Sequence, residues 1–257
     1  SKIEKNGMKY SDFFQPEINK FNIYEEKSEY LNNLSESEFE EKRLEGENDS
    51  YICSLIRRDS VEEFVSFVNR SKISLSNSIE NSIFETNEFL NEHETSLIEY
   101  AAFFGSIQIF KYLYLNNVKV DGSIWNYAIH SNNSILICHH IEKNHIEPID
   151  KTYESALIES IKCHHNDISN YIENNLLELK NGKIKKGQIQ FDERVLKISF
   201  DSYNYSHFPN DLDNNDAFFY LCQYNYSYIV NALLNIKKDF YESKIILKSK
   251  KNFYSIL

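Results

Sequence analysis

The amino-acid sequence predicts an all-α protein built from repeated helix–turn–helix units. Its 257 residues include only six glycines and three prolines, which are too few for the many tight turns of an all-β chain. Between Ser96 and Val118, apolar residues recur with helical spacing on both sides of Gly105. The same pattern then returns further along the chain, so the unit is a repeat.

Four segments align when the residue before the first helix is taken as position one. Position one holds residues that cap helix N-termini, namely Ser96, Ser123, Ser155 and Asp216. Position three is apolar, with Ile98, Trp125, Leu157 and Phe218. Position six is small in three of the four segments, with Ala101, Ala128, Ser160 and Leu221. Position ten holds residues that tolerate a positive φ, namely Gly105, Asn132, His164 and Asn225. Position fourteen is aliphatic, with Ile109, Leu136, Ile168 and Ile229. We therefore expect position ten to be the hinge between the two helices of each unit.

The chain divides by composition into two parts. Residues 1–45 are polar and acidic with a helical pattern, which predicts an N-terminal helical extension or arm. Residues 46–257 are predicted to form the repeat array, and the last residues resemble the beginning of another unit, so we expect the array to continue. A first helix pair is expected around Asp59, and residues 72–94 form an insertion before the clearest unit. Residues 178–190 are predicted to be a basic loop, and the helix that follows them half of a degenerate unit.

The stretch "SLIEYAAFFGSIQIFKYLYLNNVKV" resembles the ankyrin-repeat family, with its Ala-Ala pair, a glycine and an apolar second helix. It departs from the family at the T-P-L-H start, where Ser96-Leu97-Ile98-Glu99 stands. The resemblance extends over roughly residues 48–240 and is similar to the divergent ankyrin-like proteins expanded in some protists, most of which have no assigned function. It implies an ankyrin-like solenoid of stacked helix pairs that binds a protein partner.

Charge and cysteine content exclude several other classes. The net charge of −11 argues against a nucleic-acid partner, because phosphate contacts need clustered Lys and Arg. Four cysteines in a chain of this length do not make a disulfide framework, so we expect a reducing, cytoplasmic setting. No apolar run reaches the roughly 18 residues of a membrane span. The oligomeric state has no signal in the sequence.

Signals for chemistry are weak. The tripeptides Cys138-His139-His140 and Cys163-His164-His165 invite a zinc hypothesis, but zinc sites use spaced pairs of ligands, so we predict no metal. Gly182 and Gly187 have the spacing of a phosphate-binding loop without its Lys and Ser or Thr, and we predict no cofactor. Motifs of common hydrolases and dinucleotide-binding proteins are also missing, so the enzyme class is a minor alternative.

The ankyrin resemblance implies that positions five, eight and nine of each first helix face a concave groove. These positions carry the predicted partner-binding residues Tyr100, Phe103, Phe104, Tyr127, His130, Tyr220 and Tyr224. Aromatic side chains in a groove are typical anchors of protein interfaces. The alternative is that residues 1–45 or neighbouring units bury them. The leading function is a non-enzymatic protein–protein interaction module, and the alternatives are a fixed subunit of a larger assembly or an enzyme with an unrecognised site.

Overall fold

The structure is a computed structural model that describes residues 10–21, 34–177, 193–208 and 215–236. These residues are mostly helical and contain no β-strand, so the predicted all-α class is confirmed. A single antiparallel bridge between Ser78 and Ser96 is the only β-type pairing within these ranges. The chain divides into two compact units, residues 1–156 and residues 157–257.

Short helices precede the array in the first unit. They are Tyr10–Phe13, Gln15–Lys20 and Glu36–Glu45. Ser35 caps the third helix, accepting from the Glu38 backbone N–H while the Glu38 carboxylate accepts from Ser35. Gly46 ends it in the left-handed conformation, with φ at 67°. Both ends of this helix are therefore set by local sequence.

Helix pairs follow in both units. In the first unit, pair 1 is Tyr51–Arg57 with Val61–Ser71, pair 2 is Leu97–Phe103 with Ile107–Leu115, and pair 3 is Ile124–His130 with the π-helical segment Leu136–Glu142. The helix Glu154–Lys162 contains the division between the units, and with Asn166–Tyr171 and the π-helical Ile172–Leu177 it forms pair 4. In the second unit, pair 5 is Glu193–Asp201 with the 3₁₀ turn Tyr205–His207, and pair 6 is Asn215–Gln223 with Ser227–Ile236.

The predicted hinges all adopt the left-handed conformation. Positive φ values occur at Asp59 (50°), Gly105 (69°), Asn132 (51°), His164 (58°) and Asn225 (58°). Pair 5 has a sixth hinge at Tyr203, with φ at 56°. This hinge was not predicted, because tyrosine is not among the residues that favour the left-handed region of positive φ.

Five of the six described hinges, all except Asn132, end the first helix with the same pair of backbone hydrogen bonds. At Gly105, the N–H of the following residue, Ser106, reaches back to the Ala101 carbonyl over 2.8 Å, and the Gly105 N–H reaches Ala102 over 3.1 Å. These are the two bonds of a Schellman terminator. Equivalent bonds join Ser60 to Leu55 (3.1 Å) in pair 1 and Tyr226 to Leu221 (2.9 Å) in pair 6. The hinge therefore satisfies helix-end carbonyls that would otherwise lack partners.

In the first unit, hinge side chains also connect one pair to the next. The Asp59 carboxylate accepts from the backbone N–H groups of Gln108 (3.0 Å) and Ile109 (2.9 Å), which begin the second helix of pair 2. In return, the Ser106 hydroxyl donates to the Ile56 carbonyl over 2.6 Å. Asp59 thus acts as an N-cap supplied by the neighbouring pair.

The second unit uses the same connection with a different residue. Asn204 follows the Tyr203 hinge as Ser106 follows Gly105, and its side-chain amide donates to the Ile161 carbonyl over 2.9 Å. Ile161 lies three residues before the His164 hinge, as Ile56 lies three before Asp59. Successive pairs within each unit are therefore stacked through hinge-level hydrogen bonds as well as through apolar side chains.

Most of the predicted inner positions are buried, although Phe218 and Ile229 are only half-buried, and the predicted N-caps are only partly correct. All residues at position six are fully buried, namely Ala101, Ala128, Ser160 and Leu221. Ser96 makes the predicted capping box with Glu99. Ser123, by contrast, has helical dihedrals and makes no cap bond, because its hydroxyl donates to Glu99 of pair 2 over 2.5 Å. Ser155 and Asp216 lie inside helices that begin at Glu154 and Asn215. The capping prediction is therefore wrong at these three positions.

The hinge geometry makes a sharp prediction at Gly105. A Cβ atom there would lie 3.2 Å from the Ser131 Cβ and 3.3 Å from the Asn133 Nδ2, and φ would remain positive. We expect Gly105→Val to lower the free energy of unfolding by on the order of 1–3 kcal/mol, the scale of a strained backbone residue. Gly105→Asn should cost less, because Asn tolerates the left-handed region. Urea unfolding of both variants checks this, and equal midpoints would contradict the hinge assignment.

Candidate interaction surface

Residues 77–95, the covering segment, contact residues 46–49 before pair 1 and the first helices of pairs 2 and 3. The segment is fixed at its start by the Ile79 N–H, which donates to the Thr95 carbonyl over 2.7 Å. The side-chain amide of Asn48 donates to the Glu80 carbonyl over 2.8 Å. Its Phe84 is fully buried against Phe39, with ring centroids 5.4 Å apart. The predicted insertion is therefore an ordered part of the first unit.

A short helix, Glu88–Glu92, lies near the end of the covering segment. The Asn87 side chain caps it by accepting from the Leu90 N–H over 3.2 Å. Leu90 is buried, whereas Phe89 is half-buried. The cap fixes where the helix begins, and therefore the direction in which the Phe89 side chain projects from it.

Phe89 is the centre of a cluster of rings. Its ring centroid lies 4.5 Å from that of His130, 4.6 Å from His93, 4.9 Å from Tyr127 and 6.0 Å from Phe103. The His130 ring also stacks on Phe103 at 4.7 Å. These five rings are called the ring patch below. Such spacings are typical of favourable aromatic pairs.

The structure corrects the predicted groove in the first unit. Tyr100, Phe103 and Tyr127 are buried, with exposed fractions of 1, 8 and 3%, so the prediction that they line an open groove is wrong. Tyr100 is covered by pair 1, and Phe89 covers Phe103 and Tyr127. These covering contacts come from residues 77–95 and from a neighbouring pair.

The other predicted groove residues keep some exposed surface. Phe104 is half-buried, with its ring 4.7 Å from Tyr100 and the Arg57 guanidinium 6.0 Å above it. His130 is half-buried in the ring patch. Surface remains at Phe89 and His93, which the sequence analysis did not select. The sequence signal for this surface was Phe89, an apolar residue two positions after the helix-capping residue Asn87.

In the second unit, Tyr220 and Tyr224 also differ from the prediction. Tyr220 is buried in an apolar core with Phe200 and Leu221, with 6.0 Å between the Tyr220 and Phe200 rings, so its predicted exposure is wrong. Tyr224 is half-buried and stacks on Tyr220 at 6.3 Å. The reason is that pair 5, which the sequence showed only as a degenerate half, supplies Phe200 and covers the first helix of pair 6.

Tyr100 lies in a buried polar cluster. Its hydroxyl accepts from the Arg57 guanidinium over 2.8 Å, and the same nitrogen donates to the Asn48 carbonyl over 2.8 Å. Arg57 Nε pairs with the Glu47 carboxylate over 2.5 Å, which compensates its charge. Burial raises the pKa of the Cys53 thiol to about 11 and also raises the pKa of Tyr100. Because a thiol reacts as its thiolate, Cys53 is suited to packing and not to nucleophilic catalysis.

Ser169, His207 and Glu173 form the arrangement closest to a catalytic triad. The Ser169 hydroxyl lies 2.6 Å from His207 Nε2, and His207 Nδ1 lies 3.6 Å from the Glu173 carboxylate. However, Ser169 has no exposed surface, and its hydroxyl donates to the Asn166 carbonyl over 2.9 Å. The proton is thus directed away from the imidazole, and a substrate cannot reach the oxygen. The group instead holds the 3₁₀ turn of pair 5 to pair 4.

The cysteine–histidine tripeptides show no ligand geometry of their own. Burial raises the pKa of Cys163 to about 12. His164 Nε2 lies 2.8 Å from the Ser202 carbonyl and therefore donates to it. His140 is half-buried next to Phe110, with 6.1 Å between the rings. The absence of a metal stays a prediction. Residues 178–192, with the basic loop, lie outside the described residues.

Comparisons with protein-family models, with curated proteins and with solved structures give no match. None of the helices in the described ranges has the length and apolar character that crossing a membrane requires. Function is therefore inferred from the ring patch and its surroundings.

The buried tyrosines predict a loss of stability in alkali. Burial raises the pKa of Tyr127 from 10 to about 12, although the Thr95 hydroxyl 3.3 Å away favours the charged form. Between these values the unfolded chain has lost a proton that the folded chain keeps, so stability falls as pH rises. We expect the free energy of unfolding to decline above about pH 9, and less steeply in Tyr127→Phe. Tyr228→Phe, at a 91% exposed residue, is the control and should leave the slope unchanged.

Proposed function

We propose that this protein is a non-enzymatic interaction module, an ankyrin-like solenoid that binds a protein partner in a reducing compartment. The repeated hinges and the hinge-level bonds between pairs support the solenoid. The free thiols of Cys53 and Cys222 support the reducing setting. The partner surface we propose is the ring patch, in place of the open aromatic groove.

The observation that carries this proposal is the support beneath the exposed rings. Phe89, His93 and His130 keep surface, while Phe103 and Tyr127 below them are buried. Tyr127 is further held by the Thr95 hydroxyl. Rings fixed in this way lose little conformational entropy when a partner binds, which is the property of interface anchors.

Quantitative recovery of partners tests this surface. Phe89→Leu keeps most of the side-chain volume and removes the ring, so the fold should be retained while the stacking on His130 is lost. We expect recovery of the bound partner from the native source to fall at least about tenfold, the effect of a hot spot of about 1.4 kcal/mol or more. Tyr114→Leu, at an exposed ring in the second helix of pair 2, is the matched control.

Three results decide the matter. Loss with Phe89→Leu alone, at an unchanged melting temperature, supports the ring patch. Equal recovery by both variants and the wild type would remove the patch from the proposal. A lower melting temperature of the Phe89→Leu variant would show that the ring serves internal packing, and would count against a role in partner binding.

A further inference from the structure

The covering segment belongs to a stretch of unusual charge. Residues 73–110 contain six glutamates and no lysine or arginine. The same stretch supplies the first helix of pair 2 and three of the five rings of the ring patch, Phe89, His93 and Phe103. These three rings thus lie in a stretch that carries glutamates and no lysine or arginine. The whole protein has a net charge of −11.

Three of the six glutamate carboxylates accept hydrogen bonds from neighbouring groups. Glu85 accepts from the backbone N–H groups of Asn48 and Asn87, and Glu99 accepts from Ser96 and Ser123. Glu94 accepts from the Ser78 hydroxyl over 3.0 Å. The fold therefore accounts for these three carboxylates, whereas Glu80 bonds through its backbone carbonyl and its side chain is exposed.

Glu88 and Glu92 are exposed glutamates close in sequence to the rings. Within the described ranges no cation pairs with either of them. They lie on the helix Glu88–Glu92, next in sequence to Phe89 and His93 respectively. Arg57, the cation of the buried polar cluster around Tyr100, is paired with Glu47. Two uncompensated carboxylates therefore border the ring patch.

His93 adds a hydrogen-bond acceptor to this border. Its Nδ1 lies 2.7 Å from the Phe89 carbonyl, and because a carbonyl only accepts, Nδ1 carries the proton. In the neutral ring, Nε2 is then a lone-pair acceptor on an exposed side chain. The border of the patch thus offers acceptors, and its centre offers the faces of aromatic rings.

We propose that the ring patch binds an arginine-bearing segment of the protein partner. A guanidinium is planar, stacks on aromatic faces and donates hydrogen bonds in its own plane, which matches a stack of rings bordered by carboxylates and an imidazole nitrogen. Charge complementarity favours a cationic segment over an acidic or purely apolar one. This inference rests on the proposed function, and names the chemistry of the partner at the same surface.

Peptide titration tests the proposal without knowledge of the partner. The probe is an acetylated, amidated octapeptide of alternating glycine and arginine, titrated into the full chain while the ring protons of His93 and His130 are followed by NMR. The control octapeptide replaces arginine with citrulline, which keeps the planar group and removes its charge. We expect the arginine peptide to shift both histidines and to bind at least about fivefold more tightly than the citrulline peptide, the effect of one cation–π contact.

Two sets of variants locate the site. Glu88→Gln with Glu92→Gln should weaken the arginine peptide by about fivefold and reduce its dependence on salt, because exposed charge pairs are individually weak and screened. Glu36→Gln with Glu62→Gln removes the same charge from exposed positions on two other helices and should change neither quantity. Phe89→Leu should weaken binding whatever the salt concentration.

Distinct outcomes separate this inference from the proposed function. Equal affinity for the arginine and citrulline peptides would overturn the role of charge, as would an unchanged affinity in the Glu88 and Glu92 double variant. If no peptide shifts the ring protons of His93 or His130, the inference is overturned. If the Phe89→Leu variant nevertheless fails to recover the partner that the wild type recovers, the proposed interaction module is still supported. If that partner is also retained by Phe89→Leu, both proposals fail.

Discussion

The left-handed hinge is the constraint on which the rest of the structure depends. A positive φ at one residue, as at Gly105 with 69°, lets the next N–H reach back five residues and end the first helix. The chain then reverses, and the second helix begins within two residues. Because Asp59 and Ser106 bond across to neighbouring pairs from these same hinges, the turn that ends a helix also sets how the next pair stacks. Local backbone conformation and stacking between pairs are thus fixed by the same few residues.

Much of this frame could be predicted from the sequence, because the required property is local. Gly105, Asn132 and Asn225 tolerate a positive φ whatever surrounds them, so their type and spacing identify hinges directly. Tyr203 could not be found in this way, since its backbone strain is offset by contacts made after folding, including its ring 5.2 Å from Tyr226. Helix starts were harder: Ser123 is a good cap by type, but the Glu99 carboxylate of pair 2 takes its hydroxyl.

The interaction surface could not be predicted in the same way. An aromatic at position five is favourable both on a groove wall and in a core, and the sequence pattern is identical in the two cases. What decides between them at Tyr127 is Phe89, which is 38 residues earlier in the chain and lies outside the repeat. Its position follows from contacts such as Asn48 with Glu80, which join residues far apart in sequence and have no periodic signature. The exposed carboxylates of Glu88 and Glu92 acquire a meaning only once that position is known.

The covering segment also has a consequence for how the chain folds. Each helix pair closes contacts over a few residues, so its conformational search is short and its formation fast. The bonds from Asn48 to Glu80, from Ser82 to Asp49 and from Thr86 to Gly46 instead close loops of 32, 33 and 40 residues. Those loops cost more entropy, and they need Asn48 and its neighbours already in place. We therefore expect the surface around Phe89 to assemble after the individual helix pairs, so that a nascent chain exposes bare helix pairs before it presents its finished face.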